Sequence, residues 1–213
     1  MKLAPRPHQH EAIIDVLQGF KDHDRGQLIM ACGTGKTLTA LWIAEAMRAR
    51  LTVVFLPSIA LVEQFALSWR ANVADLSGFD ALCVCSDENI SRSEQVDDIG
   101  VDSLQKYGLA VTTESTEVCR FIGLSGPRVV FSTYHSARVI AAAQSLADTQ
   151  AFDLMVCDEA HRCAGDARSP FAVVLDGSRI RARKRLFVTA TPRVRGTSTQ
   201  DSVKPAGIVD MDN

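Results

Sequence analysis

The segment Met30–Thr37, with the sequence Met-Ala-Cys-Gly-Thr-Gly-Lys-Thr, constrains the fold of this 213-residue chain more than any other. It follows a short apolar stretch and opens a helical pattern over residues 36–48. A strand, a glycine-containing turn and a helix that begins with Lys-Thr are typical of a phosphate-binding loop, because backbone N–H groups and the helix N-terminus converge on one point. The usual pattern begins with glycine, and Met30 occupies that position here. An ordinary glycine-rich turn between a strand and a helix is the alternative.

Particular residues of this loop suit a nucleoside triphosphate. Gly33 and Gly35 allow the backbone to approach the phosphates closely, and Thr34 between them supplies a further N–H group. Lys36 would reach the β- and γ-phosphates, and the Thr37 hydroxyl would hold Mg²⁺. The loop therefore predicts a site for a nucleotide and its metal ion.

Apolar strand-like segments alternate with helical patterns along the chain. The predicted strands are residues 27–31, 52–56, 81–85, 129–131, 154–157 and 186–188, and the predicted helices are residues 8–22, 36–48, 60–71 and 136–146. This alternation predicts an α/β fold, a parallel sheet with helices on both faces. The polar and acidic residues 86–108 are predicted to form a long mobile insertion. We expect one domain over residues 1–192 and a poorly ordered tail over residues 193–213.

A second group of candidate residues, Asp158–Arg162, follows the predicted strand 154–157 directly. An enzyme with a phosphate loop needs a carboxylate at the end of a neighbouring strand to hold Mg²⁺, and a base that orients a water molecule. Asp158 suits the first role and Glu159 the second. Chance polarity at a strand end is the alternative interpretation.

Composition excludes several classes of protein. A net charge of −2 is not that of a protein whose whole surface binds nucleic acid, although a local basic groove stays possible. No apolar run approaches the roughly 18 residues of a membrane span, and the N-terminus lacks the apolar core of a signal peptide. None of the six cysteines forms a Cys-x-x-Cys pair, which indicates reduced thiols in a cytoplasmic protein. The basic run of residues 181–185 is expected to be a solvated face, or else the border of a nucleic-acid groove.

Four further segments accompany the two motifs, in an order typical of one helicase superfamily: Arg6–Gln9, Pro57–Gln64, Ser132–Tyr134 and Thr189–Pro192. Six motifs in this order over residues 3–193 resemble the first ATP-binding motor domain of superfamily 2 helicases and translocases of the DEAD/DEAH-box type. The chain is similar to bacterial proteins that carry a helicase-associated domain and to the motors of restriction enzymes. The resemblance implies a RecA-like P-loop NTPase fold that binds ATP and Mg²⁺, and nucleic acid, with DNA favoured over RNA.

The resemblance also assigns roles to residues of this sequence. Arg6 and Gln9 are expected to recognise adenine, with the Gln9 amide on the base edge. The remaining assignments are catalysis by Lys36, Asp158 and Glu159; nucleic-acid contact by Pro57, Ser58, Ser132, Thr133 and Tyr134; and coupling of hydrolysis to strand binding by His161, Thr189 and Thr191. Trp42 and Trp69 are expected in the core.

Superfamily 2 motors use two sheet domains, and this chain ends about twenty residues after the Thr189–Pro192 motif. We therefore expect the first motor domain alone, which needs a second motor domain or a partner protein and hydrolyses ATP weakly by itself. A non-catalytic nucleic-acid-binding or regulatory module is the runner-up. A P-loop kinase is a third possibility, against which the motifs at residues 158–162 and 189–192 argue.

Overall fold

Seven parallel strands form the central sheet of the protein in a computed structural model that describes residues 2–75, 79–85, 101–146, 149–160, 165–166, 170–190 and 208–209. The strands of these residues, in chain order, are β1 Arg25–Ile29, β2 Leu51–Leu56, β3 Asp80–Val84, β4 Ala110–Thr112, β5 Arg128–Thr133, β6 Phe152–Cys157, β7 Gly165–Asp166, β8 Ala182–Thr189 and β9 Ile208–Val209. The large sheet has the order β1-β8-β6-β2-β5-β3-β4, and β7 pairs with β9 in a separate antiparallel ribbon. The predicted parallel α/β sheet is confirmed.

Within the described ranges, six α-helices cover the sheet: α1 Pro7–Asp22, α2 Lys36–Ala46, α3 Ile59–Asn72, α4 Val101–Lys106, α5 Ser115–Gly123 and α6 Ala137–Leu146. Short 3₁₀ turns occupy Tyr134–Ser136 and Pro170–Leu175. The four helices predicted from the sequence are present, with ends that differ by at most two residues. Among the helices of the described residues, none combines the length and apolar character that crossing a membrane requires.

Two hydrophobic cores lie on the two faces of the sheet. One contains apolar side chains of α1, α2, α3 and α4, and the other those of α5 and α6. The central strand β2 serves both cores, since Val54 belongs to the first and Val53 and Phe55 to the second. All six residues of β2 are buried, which is typical of a strand in a parallel sheet that is covered on both sides. Each fully buried side chain of this kind contributes roughly 1.5–3 kcal/mol.

The prediction of one continuous mobile insertion over residues 86–108 is wrong in its last third. Residues 101–106 form helix α4, and the side chain of Leu104 is completely buried in the first core. A single apolar anchor in a polar stretch is too weak a pattern to indicate a helix. Residues 86–100 lie outside the described residues, as does the predicted tail 193–213 apart from β9.

The basic run at residues 181–185 is not a solvated face. It begins β8, at the edge of the sheet where the parallel strands start. Arg185 is only 4% exposed and donates a hydrogen bond of 2.6 Å to the Ile180 carbonyl, while Lys184 donates one of 2.6 Å to the His23 carbonyl. These cationic side chains tie β8 to neighbouring segments, and only Arg183 is largely exposed, in an ion pair with Asp153.

Candidate functional site

The carboxyl ends of five neighbouring strands bring the predicted motifs to one edge of the sheet. Parallel strands all end on the same side, so β1 delivers the phosphate loop, β8 delivers Thr189 and β6 delivers Asp158. Next to them, β2 leads into Pro57 and Ser58, and β5 ends in Ser132 and Thr133 with Tyr134 following. Segments spread over 160 residues of sequence therefore share one edge.

The phosphate loop has the backbone conformation that its glycines predict. Gly33 has φ of +76° and Gly35 has φ of +89°, a left-handed region that favours glycine. A Cβ at Gly35 would also touch the amide nitrogen of Gln9. The Lys36 ammonium folds over the loop, where its Nζ lies 3.3 Å from the Met30 carbonyl and 3.4 Å from the Ala31 carbonyl.

Met30 explains why the usual first glycine of the loop is not needed. Its side chain is buried in the first core, so it anchors the start of the loop by packing. Its backbone N–H donates to the Thr189 carbonyl at 3.1 Å, which continues the pairing of β1 with β8. The loop turns away from the sheet only after this residue.

Gln9 lies against the phosphate loop and is 4% exposed. Its Oε1 accepts a hydrogen bond from the Arg6 N–H at 2.8 Å, and its Nε2 donates to the Thr34 carbonyl at 3.0 Å. Both ends of the amide are therefore engaged within the protein. Recognition of adenine by Gln9 stays a prediction, and the structure adds a second role, which is to hold the phosphate loop against the start of α1.

A cavity of about 120 Å³ opens beside Gln9. Its walls include Arg6, Leu38 and Trp42 together with the loop glycines. The expectation that Trp42 is a core residue is incomplete, because its buried ring also borders this cavity. A flat apolar ring beside the phosphate loop suits a purine base, and the signal for it in the sequence is one tryptophan on the first turns of α2.

Asp158 is a buried carboxylate without a complete set of partners. Its side chain is 5% exposed, and Oδ1 has no hydrogen-bond partner among the residues that the structure describes. Burial, and then the neighbouring Glu159, raises its pKa to about 6, while the Lys36 ammonium acts in the opposite direction. A buried carboxylate oxygen that has no donor among the described residues, on the same edge as Lys36 and Thr37, fits a Mg²⁺ ligand.

Glu159 follows in a conformation that is uncommon for a residue with a side chain. Its φ is +50°, in the left-handed region. The residue before it is fixed on both sides, because the Asp158 N–H donates to the Phe55 carbonyl at 3.0 Å and the Tyr134 hydroxyl donates to the Asp158 carbonyl at 2.6 Å. The structure thus brings Lys36, Asp158 and Glu159 to one edge.

The residues predicted to contact nucleic acid fall into two groups. Pro57 and Ser58 are half-buried, and the Ser58 hydroxyl accepts from the Leu61 N–H at 3.4 Å and so caps α3. Ser132, Thr133 and Tyr134 are buried, because β5 lies between β2 and β3 with cores on both faces. The structure does not present these three side chains to solvent, and contact with nucleic acid from either segment stays a prediction.

Of the predicted coupling residues, the structure describes Thr189 alone. It is 1% exposed at the end of β8, between the strand of the phosphate loop and the strand of Asp158. This position is suited to contact with both the phosphate loop and the segment that contains Asp158. His161 and Thr191 lie outside the described residues.

Known proteins resemble this chain in sequence and in fold. The sequence model of the family described as "Type III restriction enzyme, res subunit" matches residues 2–194. The chain belongs to this family. The predicted relationship to the first motor domain of superfamily 2 helicases is thereby confirmed. No curated protein matches the chain.

Two solved restriction enzymes are similar over nearly the whole chain. One is a nuclease-deletion mutant of the Type ISP restriction-modification enzyme LlaGI in complex with a DNA substrate mimic, at 34% identity and a TM-score of 0.70, covering 91% of this chain and 18% of that one. The other is the ATP-dependent Type ISP restriction-modification enzyme LlaBIII bound to DNA, at 30% identity and a TM-score of 0.74, covering 98% and 14%. This chain spans less than a fifth of either enzyme.

The helicase domain of Pyrococcus furiosus Hef is similar in fold. It has 20% identity and a TM-score of 0.54, covering 90% of this chain and 34% of that one. At that identity the likeness concerns the fold alone, and it agrees with the RecA-like P-loop architecture predicted from the sequence.

Proposed function

We propose that residues 1–192 bind ATP with Mg²⁺ and hydrolyse it to ADP and phosphate, as the first motor domain of a DEAH-type translocase that acts on nucleic acid. One observation carries the proposal: the buried carboxylate of Asp158, whose Oδ1 has no hydrogen-bond partner among the described residues, lies at the same edge of the sheet as the phosphate loop, with only β8 between their two strands. Two motifs separated by 120 residues meet there, at the edge where the phosphate loop opens.

The roles of the residues follow from their positions. Backbone N–H groups of residues 33–37 and the Lys36 ammonium would bind the phosphates, while the Thr37 hydroxyl and the Asp158 carboxylate would hold the metal ion. The Mg²⁺ ion, when bound, neutralises charge on the β- and γ-phosphates. Glu159 accepts a proton from the attacking water while the oxygen of that water forms a bond to the γ-phosphorus. The bond from that phosphorus to the bridging oxygen breaks, and ADP leaves with the electron pair.

The nucleic-acid partner is proposed to be DNA in preference to RNA. The similarity to two restriction enzymes whose structures contain DNA or a DNA mimic supports this choice. The net charge of −2 indicates a local contact surface and not a general one. We place that surface at Pro57 and Ser58, next to the end of β5. We also propose the cytoplasm as the location, because no disulfide joins the five cysteines in the described ranges.

A second motor domain, in the same protein or in a partner, is part of the proposal. An arginine supplied to the γ-phosphate increases rates by roughly 10³–10⁵ in enzymes with phosphate loops. The 213-residue chain by itself should therefore hydrolyse ATP slowly and should not unwind a duplex. Fusion to a second motor domain should restore both activities.

Calorimetry of ATP binding in the presence of Mg²⁺ tests the nucleotide site. Lys36→Ala should weaken binding at least tenfold, since one charge-assisted hydrogen bond contributes roughly 1.5–3 kcal/mol. Lys21→Ala is the matched control, because Lys21 is exposed on α1 and bonds only to Gln18 among the described contacts. Equal affinity in the two variants would remove the assignment of the phosphate loop.

Turnover separates an enzyme from a non-catalytic module. Glu159→Gln keeps the size and most hydrogen bonding of the side chain but removes the base, so it should bind ATP normally and hydrolyse it more slowly than the unmodified chain. Asp158→Asn should instead weaken the Mg²⁺ dependence of binding. Mg²⁺-dependent ATP binding without any turnover in the unmodified chain, even with single-stranded DNA and a second motor domain, would favour the non-catalytic module. Transfer of phosphate to an acceptor other than water would indicate a kinase.

A further inference from the structure

Tyr134 is a buried tyrosine whose hydroxyl group serves the residue beside the proposed base. It begins the 3₁₀ turn after β5 and is 0% exposed. Its ring stacks on Phe55 of β2, with centroids 5.9 Å apart and an angle of 24° between the planes. The hydroxyl donates a hydrogen bond of 2.6 Å to the backbone carbonyl of Asp158. Hydrophobic packing therefore fixes the ring, and the ring fixes the direction of the hydroxyl.

The accepting carbonyl belongs to the peptide group that joins Asp158 to Glu159. Rotation of that peptide changes φ of Glu159, which is +50° and unfavourable for a residue with a Cβ atom. On its other side Asp158 is held by β2, through the hydrogen bond of its N–H to Phe55. Phe55 thus contributes to both restraints, through its carbonyl and through its ring. An uncommon backbone conformation persists only where surrounding contacts hold it in this way.

We propose that Tyr134 is a positioning residue for hydrolysis: its hydroxyl holds the Asp158–Glu159 peptide in the orientation from which the Glu159 side chain can act as the base. The inference rests on the proposed function of Glu159. It also gives the Ser132–Tyr134 segment a role that its burial permits. The segment contacts the hydrolytic site through the hydrogen bond of the Tyr134 hydroxyl, and its three side chains do not have to contact a nucleic acid.

A hydrogen bond within the 3₁₀ turn links the end of β5 to the position of the Tyr134 hydroxyl. The Thr133 hydroxyl donates to the Ser136 hydroxyl at 3.1 Å, which links the end of β5 to the last residue of the 3₁₀ turn. Tyr134 lies between these two residues. A shift of the end of β5 therefore moves the tyrosine hydroxyl, and with it the peptide before Glu159.

Tyr134→Phe tests the proposal because it removes one oxygen atom and keeps the ring stack. The loss of one buried hydrogen bond to the catalytic segment should lower kcat about tenfold. The dissociation constant for ATP with Mg²⁺ should stay the same, because the phosphate loop and its ligands are unchanged. The matched control is Tyr107→Phe, at the only other tyrosine of the chain, which is half-exposed on the far side of the sheet.

Kinetics are measured under single-turnover conditions, with rates divided by the folded fraction from circular dichroism. If Tyr134→Phe is unstable at the usual temperature, all variants are measured in the cold, where the folded fraction recovers. Tyr134→Phe added to Glu159→Gln should lower the residual rate no further, since both act through the same base. A purely structural role would change the unfolding midpoint and leave kcat per folded molecule intact.

The outcomes separate two claims, the positioning role of Tyr134 and the proposed hydrolysis of ATP. Normal hydrolysis in the unmodified chain with an equal kcat in Tyr134→Phe overturns the positioning role and leaves the proposed function standing. Equal losses of affinity and kcat also overturn it, because the defect would then lie in nucleotide binding. A further loss in the double variant shows that Tyr134 does not act through Glu159. An unmodified chain that binds but never hydrolyses ATP, with or without a second motor domain, overturns both.

Discussion

The indole N–H of Trp69 donates a hydrogen bond of 2.8 Å to the backbone carbonyl of Thr37. Thr37 supplies the proposed Mg²⁺ ligand, and Trp69 lies in the last turns of α3, whose first turn is capped by Ser58. Eleven residues of helix, or about 16 Å, separate Ser58 from Trp69. Helix α3 therefore connects the proposed nucleic-acid contact with the start of α2, and the Trp69 ring is held edge-on against Phe131 at 5.5 Å.

Trp69→Phe should weaken the binding of ATP with Mg²⁺ by about five- to tenfold, because it removes the indole donor to the Thr37 carbonyl while the ring still packs. Binding without Mg²⁺ should change less. Calorimetry with and without the metal measures both. A loss of the same size in the two conditions would show that Trp69 does not act through the metal ligand.

Gly35→Ala should destabilise the fold by more than about 1 kcal/mol and abolish ATP binding, since its φ of +89° strains any Cβ atom and that atom would press on Gln9. Gly19→Ala is the control, because Gly19 lies within α1 with open space around it. That change should stabilise the protein by roughly 0.5–1 kcal/mol. Chemical denaturation of the two variants measures both changes in the free energy of unfolding. A Gly35→Ala protein as stable as the parent would contradict the geometry.

Gln9→Ala should weaken ATP and GTP binding alike, because the structure commits the Gln9 amide to Arg6 and to the phosphate loop. Recognition of the adenine edge by Gln9 makes a different prediction, namely a selective loss for ATP. Competition between the two nucleotides in the parent and in the variant separates these roles. A parent protein that prefers ATP and a variant that binds both equally would support adenine recognition.

Asp158 should make the metal-free protein less stable as the pH rises. Its pKa is about 6 in the folded protein and near 4 in the unfolded chain, so the folded state binds the proton more tightly. Its stabilising contribution is therefore complete below about pH 4 and is lost as the pH rises through about 6, a change of about 3 kcal/mol.

Asp158→Asn removes this titration, so the difference in unfolding free energy between parent and variant isolates it. Denaturant melts from about pH 4 to pH 7 in the presence of a chelator should show the parent losing stability relative to the variant. Mg²⁺ added at the upper pH should recover stability in the parent only. Parallel pH profiles for the two proteins would show that Asp158 titrates normally.

The sequence was sufficient to predict which segments reach the functional edge. Strands that alternate with helices are parallel and end on one side, so the phosphate loop and Asp158 had to lie at the same edge wherever β1 and β6 lay in the sheet. The helices with strong periodicity, such as α1 and α3, were also predictable. Short elements were not, because the three residues of β4 and the single buried leucine of α4 give too little pattern.

The contacts that tune the site could not be predicted. Tyr134 and Asp158 are 24 residues apart, and Trp69 and Thr37 are 32 apart. Each pair meets only because of the order of strands and the tilt of helices, which local patterns do not specify. Burial was predicted correctly for Trp69 but not for Tyr134, which was expected to contact nucleic acid. In neither case did the sequence indicate that the aromatic side chain carries a polar atom that bonds to the backbone of a site residue.

The order of the sheet places β1 and β4 on opposite outer flanks. The connection from β3 to β4 thus joins two strands at the flank away from the phosphate loop. Because the entropy of closing a loop grows slowly with its length, about 0.6 kcal/mol for each doubling, that connection can be lengthened at little cost. A reporter protein or an affinity tag inserted there should leave the register of β1, β8 and β6 undisturbed. This flank is therefore a suitable attachment point for a label in single-molecule measurements.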